Sequence, residues 1–249
     1  MRHRQGAFRV VDGVPYPDGA STMALLPTSL VGRWLASPAD RVRGGVLDVG
    51  AGQQPFRPWY EPLADQVVAV DVVPAPGLAV QSYAVALPFA DDSFDALLCT
   101  SVLEHVDDIE RSVAEISRVV RPGGAVLVTA PFLYPTHEAP YDYWRTTHFG
   151  LVGLLERHGL VVEDVAAQGG PFLLVSHYAL GGLGAAVSRA GSRGGRLGRL
   201  VDNRWVRSAV VAPQEAVRTR TSYRLTRLSR AASLGYMVMA TVPGGDEQR

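Results

Sequence analysis

The chain has 249 residues and balances 24 basic against 24 acidic side chains, with 47% apolar and 19% charged residues; that composition builds a core and excludes wholesale disorder. All 24 basic residues are arginine, which removes lysine Schiff bases, the lysine of phosphate-binding loops and the Tyr-Lys pair of short-chain dehydrogenases. Cys99 is the single cysteine, so an intrachain disulfide and a cysteine-rich zinc site are excluded as well.

In chain order, residues 1–43 read as an N-terminal segment. The opening MRHRQGAFRV lacks the apolar run that follows the basic start of a secretory signal, so the expected location is the cytoplasm. His3, Phe8 and Tyr16 in this segment belong either to a lid over an acceptor or to a disordered leader. A core is expected over 44–170. GGVLDVG, QVVAVDV, FDALLCT, GAVLVTA and LVVEDVA are short apolar runs of the kind that form parallel strands covered on both faces. Between them, Ile109, Val113, Ile116 and Val120 share one helical face, started by Asp107-Asp108 and stopped by Pro122-Gly123-Gly124. Thr147 to His158 reads as a further helix ending at Gly159. Such alternation predicts an α/β, doubly wound, mostly parallel sheet.

Residues 171–232 are expected to be a helical, Arg-rich insertion before a last core strand, GYMVMATV, and a tail over 233–249. The zero net charge hides an asymmetry there. Residues 1–179 hold 12 arginines against 20 acids, and residues 180–249 hold 12 arginines against four. Glu215 to Ala232 reads as a basic amphipathic helix, which suits an anion or membrane surface, or simply a solvated face of its own domain. The uncharged stretch Val165–Ser188 carries five glycines and a proline, so a loop followed by an apolar helix is expected instead of a membrane span.

The strongest local signal is VLDVGAGQQPF, residues 46–56. Gly50 and Gly52 follow a strand directly, where glycine permits positive φ and close approach of a ligand to the backbone. The next strand ends on Asp71, whose carboxylate at that tip can accept bonds from both hydroxyls of a ribose. A third dinucleotide-type glycine is absent, and Asp48 is placed to meet the ammonium group of an amino-acid tail.

VLDVGAGQQPF, VVAVDV, ALPFADDSFDALLCTSVLEHV and RVVRPGGAVLVTAP, in that order, resemble the class I S-adenosylmethionine-dependent methyltransferases, with a type 11-like methyltransferase domain. The likeness covers about residues 44–166, with GYMVMATV as the family's antiparallel final strand. It implies a Rossmann-like seven-stranded sheet with S-adenosylmethionine at the C-terminal strand edges. Asp48, Gly50 and Gly52 would hold the methionine portion, Asp71 the ribose, and Ala86 and Leu87 the adenine. Ser101 and Val102 would flank the sulfonium with His105 nearby. Two positions depart from the family pattern: Tyr83 replaces an acid before Leu-Pro-Phe, and Gln54 replaces a glycine.

PFLYPTHEAPYDYWRTTHF, residues 131–149, emerges beyond the strand GAVLVTA, where parallel sheets bind ligands. His137 is the candidate general base because its ordinary pKa is near neutrality. Asp142 would orient it, Arg145 would hold an acceptor carboxylate or phosphate, and Tyr134, Tyr141, Tyr143 and Trp144 would line the substrate. Alternatively, Asp142 and Arg145 pair with each other to pin the loop. No recognisable metal-ligand spacing is present; a metal site would have to join His137 and Asp142 to a ligand distant in sequence.

The function expected is methyl transfer to a small-molecule acceptor, by O- or N-methylation, in secondary metabolism. A cofactor-binding scaffold without catalysis is the alternative, and a nicotinamide oxidoreductase is disfavoured by the missing glycine and lysine. Nucleic acid is not the expected substrate, since nothing resembles a base-reading motif. Contact with a membrane surface through 171–232 and a homo-oligomer through Phe172 to Val187 complete the expected partners.

Overall fold

Runs of Val, Leu and Ala become central strands here because helices cover both faces of the sheet they form. The computed structural model describes residues 8–11, 14–17, 22–35, 39–179 and 227–244. The first elements are β1 (Phe8–Val11), β2 (Val14–Pro17), α1 (Thr22–Leu35), β3 (Gly44–Val49), α2 (Arg57–Tyr60), β4 (Ala64–Asp71), β5 (Val80–Gln81) and β6 (Phe94–Thr100). They are followed by α3 (Ile109–Val119), β7 (Val120–Pro131), α4 (His148–Arg157), β8 (Val161–Ala167), α5 (171–179), α6 (Arg227–Ala231) and β9 (Gly235–Thr241).

β1 and β2 pair antiparallel by themselves. The main sheet has seven strands in the order β5-β4-β3-β6-β7-β9-β8. β9 runs antiparallel to both β7 and β8, and the remaining neighbours are parallel. From β3 the chain winds outward to β4 and β5, then returns to β6 on the other side. That reversal leaves a crevice at the carboxyl ends of β3 and β6, the place where open α/β sheets bind ligands.

Side chains alternate across the sheet with a period of two. Leu47, Val49, Leu97, Cys99, Val126 and Val128 pack beneath Val113, Ile116 and Val119 of α3 and Leu151, Leu154 and Leu155 of α4. Val46, Ala96, Leu98, Ala125 and Leu127 face the other way, against Val31, Trp34 and Leu35 of α1 and Tyr60 of α2. Each fully buried side chain of this kind is worth roughly 1.5–3 kcal/mol. The second half of α1 is therefore part of the core. Asp48 falls between Leu47 and Val49, so the same alternation turns it toward Tyr60.

The cap of α3 is as the sequence predicts: the Asp108 carboxylate accepts from the Arg111 N–H at 3.0 Å. Its end is not. The helix stops at Val119, Val120 is already extended, and Pro122-Gly123-Gly124 lies inside β7, where the register with β6 slips. Gly123, at φ +81°, makes that bulge.

Most of the Arg-rich insertion, including the predicted helix up to residue 226, lies outside the described residues, and of that helix Arg227–Ala231 is seen. The apolar stretch from Phe172 is described as far as residue 179; Leu173 packs with Leu30 and Leu234, while Phe172 and Val175 are exposed. No described helix is long and apolar enough to cross a membrane.

Candidate active site

After β3 the chain turns through Gly50-Ala51-Gly52, with φ of +66° and +52° at the two glycines. A Cβ on Gly50 would come within 2.2 Å of Val102 Cγ2, so close packing of the segment after β6 demands glycine there. A Cβ on Gly52 would meet nothing within 4 Å, which marks open space beside the turn. Gln54 gives the turn its own bonding: its side chain donates to Pro76 O at 3.1 Å and accepts from Arg57 Nη1 at 2.5 Å.

Asp71 reaches back to this turn from the tip of β4. Its Oδ2 accepts from Gly52 N and its Oδ1 from Val73 N, both at 2.8 Å. A carboxylate has about four acceptor positions, so two remain for other donors. Asp48 is buried and accepts from the Tyr60 hydroxyl. Burial pushes Asp48 up to about 7; the Tyr60 bond opposes this and the nearby Asp71 charge adds to it.

Ser82 N donates to Asp71 O at 3.0 Å, which ties the 82–87 turn to the same tip. Ala86 is exposed on that turn. Leu87 corrects the sequence reading: its side chain is core and its N–H donates to Glu115 Oε2 at 2.8 Å, so neither is open to a base. Tyr83, in contrast, presents an exposed ring. Across the crevice Ser101 holds φ +55°, with its N–H on Thr129 O at 3.1 Å and Thr129 Oγ1 at 3.0 Å. A strained residue at a strand tip is a common mark of a functional turn. Val102 follows it against Gly50.

Residues 132–147 fold back from β7 over the turn Leu103–His105. Tyr143 N donates to Glu104 O at 2.7 Å, Trp144 Nε1 donates to Val106 O at 2.7 Å, and His105 Nδ1 lies 2.6 Å from Tyr141 O. Within the loop Arg145 uses all five of its N–H donors. Nε bonds Tyr134 O; Nη1 bonds Asp142 Oδ1 and Trp144 O; Nη2 bonds Asp142 Oδ2 and Pro135 O, at 2.6 to 3.1 Å. Asp142, with its side chain 2% exposed, also accepts from His137 N at 2.8 Å. The guanidinium holds this carboxyl down at about 2. The pair therefore pins the loop, and the expectation that Arg145 binds an acceptor anion is corrected: no fork of its donors is left.

His137 sits at the centre of this loop. Its Nδ1 is 3.2 Å from Pro135 O and 3.5 Å from both Asp142 Oδ2 and Arg145 Nη2, and Asp142 positions the residue through its backbone N–H. Burial and the neighbouring His105 lower its pKa, which keeps the imidazole neutral. Nε2 is then the open nitrogen, 3.9 Å from Glu104 Oε1. Tyr134 lies edge-on to the ring at 5.2 Å. Tyr141, Tyr143 and Trp144 are exposed along the outer rim. Glu104 is the group that sequence reasoning missed. Its side chain is 1% exposed, and neither oxygen has a hydrogen-bond partner among the described residues. Burial pushes it up to about 8.

A family model described as a methyltransferase domain matches residues 47–128, the span from β3 to β7 that carries both acids and the glycine turn. Over that span the chain is similar to methyltransferase domains. An uncharacterised methyltransferase of Mycobacterium marinum is 34% identical to it over 142 residues, covering 51% of this chain and 56% of the relative. Malonyl-[acyl-carrier protein] O-methyltransferase of Erwinia billingiae is 28% identical over 194 residues, 68% of this chain and 76% of the relative. The chain spans about half the length of the mycobacterial relatives it matches. Two solved structures share the fold. A SAM dependent methyltransferase from Archaeoglobus fulgidus superposes with a TM-score of 0.51 at 16% identity, over 86% of this chain and 93% of that one. The [4+2]-cyclase SpnF gives 0.54 at 22% identity, over 86% and 81%.

The match implies S-adenosylmethionine as cofactor, and the residues of the crevice fit it. The space beside Gly52 is open, with nothing within 4 Å of where a Cβ would stand. Asp71 keeps two acceptor positions, matching the two hydroxyls of a ribose, and Asp48 offers a buried carboxyl for an ammonium group. Ala86 and Tyr83 border the position expected for the base. Ser101, Val102 and His105 run from this crevice, where Val102 stands against Gly50, to His137, whose ring lies 4.7 Å from that of His105.

Proposed function

We propose that the chain transfers a methyl group from S-adenosylmethionine to an oxygen or nitrogen of a small-molecule acceptor. One observation carries this reading: the glycine turn with Asp48 and Asp71 meets, through Val102, the short turn on which the His137 loop rests. The cofactor supplies an electrophilic methyl on a sulfonium. Asp71 binds ribose hydroxyls, Asp48 faces the ammonium group, and the Gly52 N–H stands beside them. On the acceptor side His137 Nε2 takes the proton of a hydroxyl or amine, and Tyr134 packs against the acceptor's apolar part. Alignment of the two reactants supplies roughly 7–11 kcal/mol of the barrier reduction. The Erwinia relative, named for O-methylation, supports an oxygen acceptor.

The test is transfer of labelled methyl to a panel of small hydroxyl, carboxyl and amine compounds, beside calorimetry with S-adenosylmethionine and NAD. Binding of the first with label transfer supports the reading. Binding without transfer to any acceptor class indicates a cofactor-binding scaffold, and heat with NAD alone indicates an oxidoreductase. His137→Gln is expected to lower turnover by about 10²- to 10⁴-fold while leaving cofactor affinity nearly unchanged; near-normal turnover rules the base assignment out.

A further inference from the structure

Glu104, His105 and His137 converge on one point. His105 Nδ1 lies 2.6 Å from Tyr141 O and His137 Nδ1 lies 3.2 Å from Pro135 O. Each Nδ1 is thus turned to a carbonyl, and in each ring Nε2 is the nitrogen turned toward Glu104. Both Nε2 atoms are 3.9 Å from Glu104 Oε1. That carboxylate is the least accessible group of the three, and both of its oxygens lack a partner among the described residues. Gaps of 3.9 Å are too long for hydrogen bonds.

We propose that Glu104, His105 and His137 bind one first-row divalent transition-metal ion, of the zinc, iron(II) or cobalt(II) class, on the acceptor side of the crevice. The ligand set is two imidazoles and one carboxylate, which these ions take at about 2.0–2.2 Å. Two such bonds span up to roughly 4.2 Å, so the 3.9 Å gaps are within reach. All three ligand atoms lie within 4.8 Å of one another, and a side-chain adjustment of about an ångström closes the widest gap. Metal-bound histidines characteristically give their second ring N–H to a carbonyl or carboxylate, and both rings do so here. A fourth coordination position would be left for an acceptor atom or water.

The use of this ion rests on the methyl-transfer reading; its binding does not. With the ion in place, His137 Nε2 is a ligand instead of the base, and a hydroxyl acceptor bound to the ion would lose its proton to solvent. The oxygen then forms the O–CH3 bond as the S–CH3 bond breaks, and the electron pair of that bond stays on sulfur as a neutral thioether.

The test strips the purified full-length chain with a chelator and titrates it with Co²⁺, followed by visible absorption, and with Zn²⁺, followed by calorimetry. The wild type, Glu104→Gln and His137→Ala are compared, with circular dichroism as a fold check. The expected result is one ion per chain, with affinity at least about tenfold weaker in each folded variant. Should Glu104→Gln misfold, His137→Ala carries the comparison. No stoichiometric binding, or equal affinity in the variants, overturns the site. Titration of the same samples with S-adenosylmethionine separates the two ideas: cofactor binding without metal overturns the metal site alone, and metal binding without cofactor overturns the cofactor reading alone.

Discussion

Asp48 occupies a place where a charge is costly in the free chain and useful once a cationic ligand arrives. Its proton is held more tightly in the folded chain than in the unfolded one, because burial lifts it to about 7. Its contribution to stability is therefore complete below the ordinary carboxylate range and is lost as the pH rises through about 7. Asp48→Asn removes that dependence while keeping an acceptor for Tyr60. The fall in melting temperature from about pH 5 to about pH 8 should flatten in this variant, each kcal/mol recovered being worth roughly 2–4 °C. Its affinity for S-adenosylmethionine should drop by about 10- to 150-fold, as for loss of a charge-assisted bond of roughly 1.5–3 kcal/mol. Scanning fluorimetry across pH and calorimetry check both; a steeper fall than wild type contradicts the burial argument. Asp48 and Asp71 were legible in sequence because each closes an apolar run immediately before a turn. Glu104 was not. A glutamate beside a histidine after a strand reads as a surface acid, and its burial arises from Tyr143 and Trp144, about forty residues further on.

The loop between β7 and α4 illustrates what an element needs beyond composition. Its aromatic and charged residues were visible in the sequence, but their order of bonding was not, since Arg145 had equal reason to face an acceptor or Asp142. Five short bonds decide it for the loop. Arg145→Ala leaves a buried carboxylate without its cation and should cost about 3–5 kcal/mol of stability. Arg145→Lys restores the charge without the planar fork and should recover only part of that loss. Thermal unfolding measures both, and a wild-type melting temperature in the alanine variant would contradict the pinning role. Strands β3, β6 and β9 follow their apolar runs closely, because each is buried on both faces. β5 escaped notice because two residues carry no periodicity. The end of α3 was displaced because a proline followed by two glycines signals a bulge in a strand as readily as the end of a helix.

At the scale of the molecule, the reversal of strand order between β4-β3 and β6-β7 sets the site where it is. Apart from Tyr60, and from Tyr83, Ala86 and Leu87 beyond β5, the candidate groups lie at or just beyond the carboxyl ends of those four strands. The seven-stranded topology followed from alternating strand and helix patterns, whereas the placement of the Arg-rich stretch has no comparable periodicity to fix it. The opposite charge of the two parts of the chain cancels to zero, with an isoelectric point near 7.0. Self-association by charge neutralisation is therefore strongest near neutrality. Light scattering should show larger particles at about pH 7 than at about pH 9 in low salt; an increase at the higher pH would contradict this.

The central claim is that two acids on neighbouring strands hold one sulfonium nucleoside. Calorimetric titration of S-adenosylmethionine into the wild type and Asp71→Asn tests it most directly. The account predicts one molecule bound per chain and an affinity at least about tenfold weaker in the variant, as expected for loss of charge-assisted bonds to the ribose. Absence of binding to the wild type, or equal affinity in the two proteins, would contradict it.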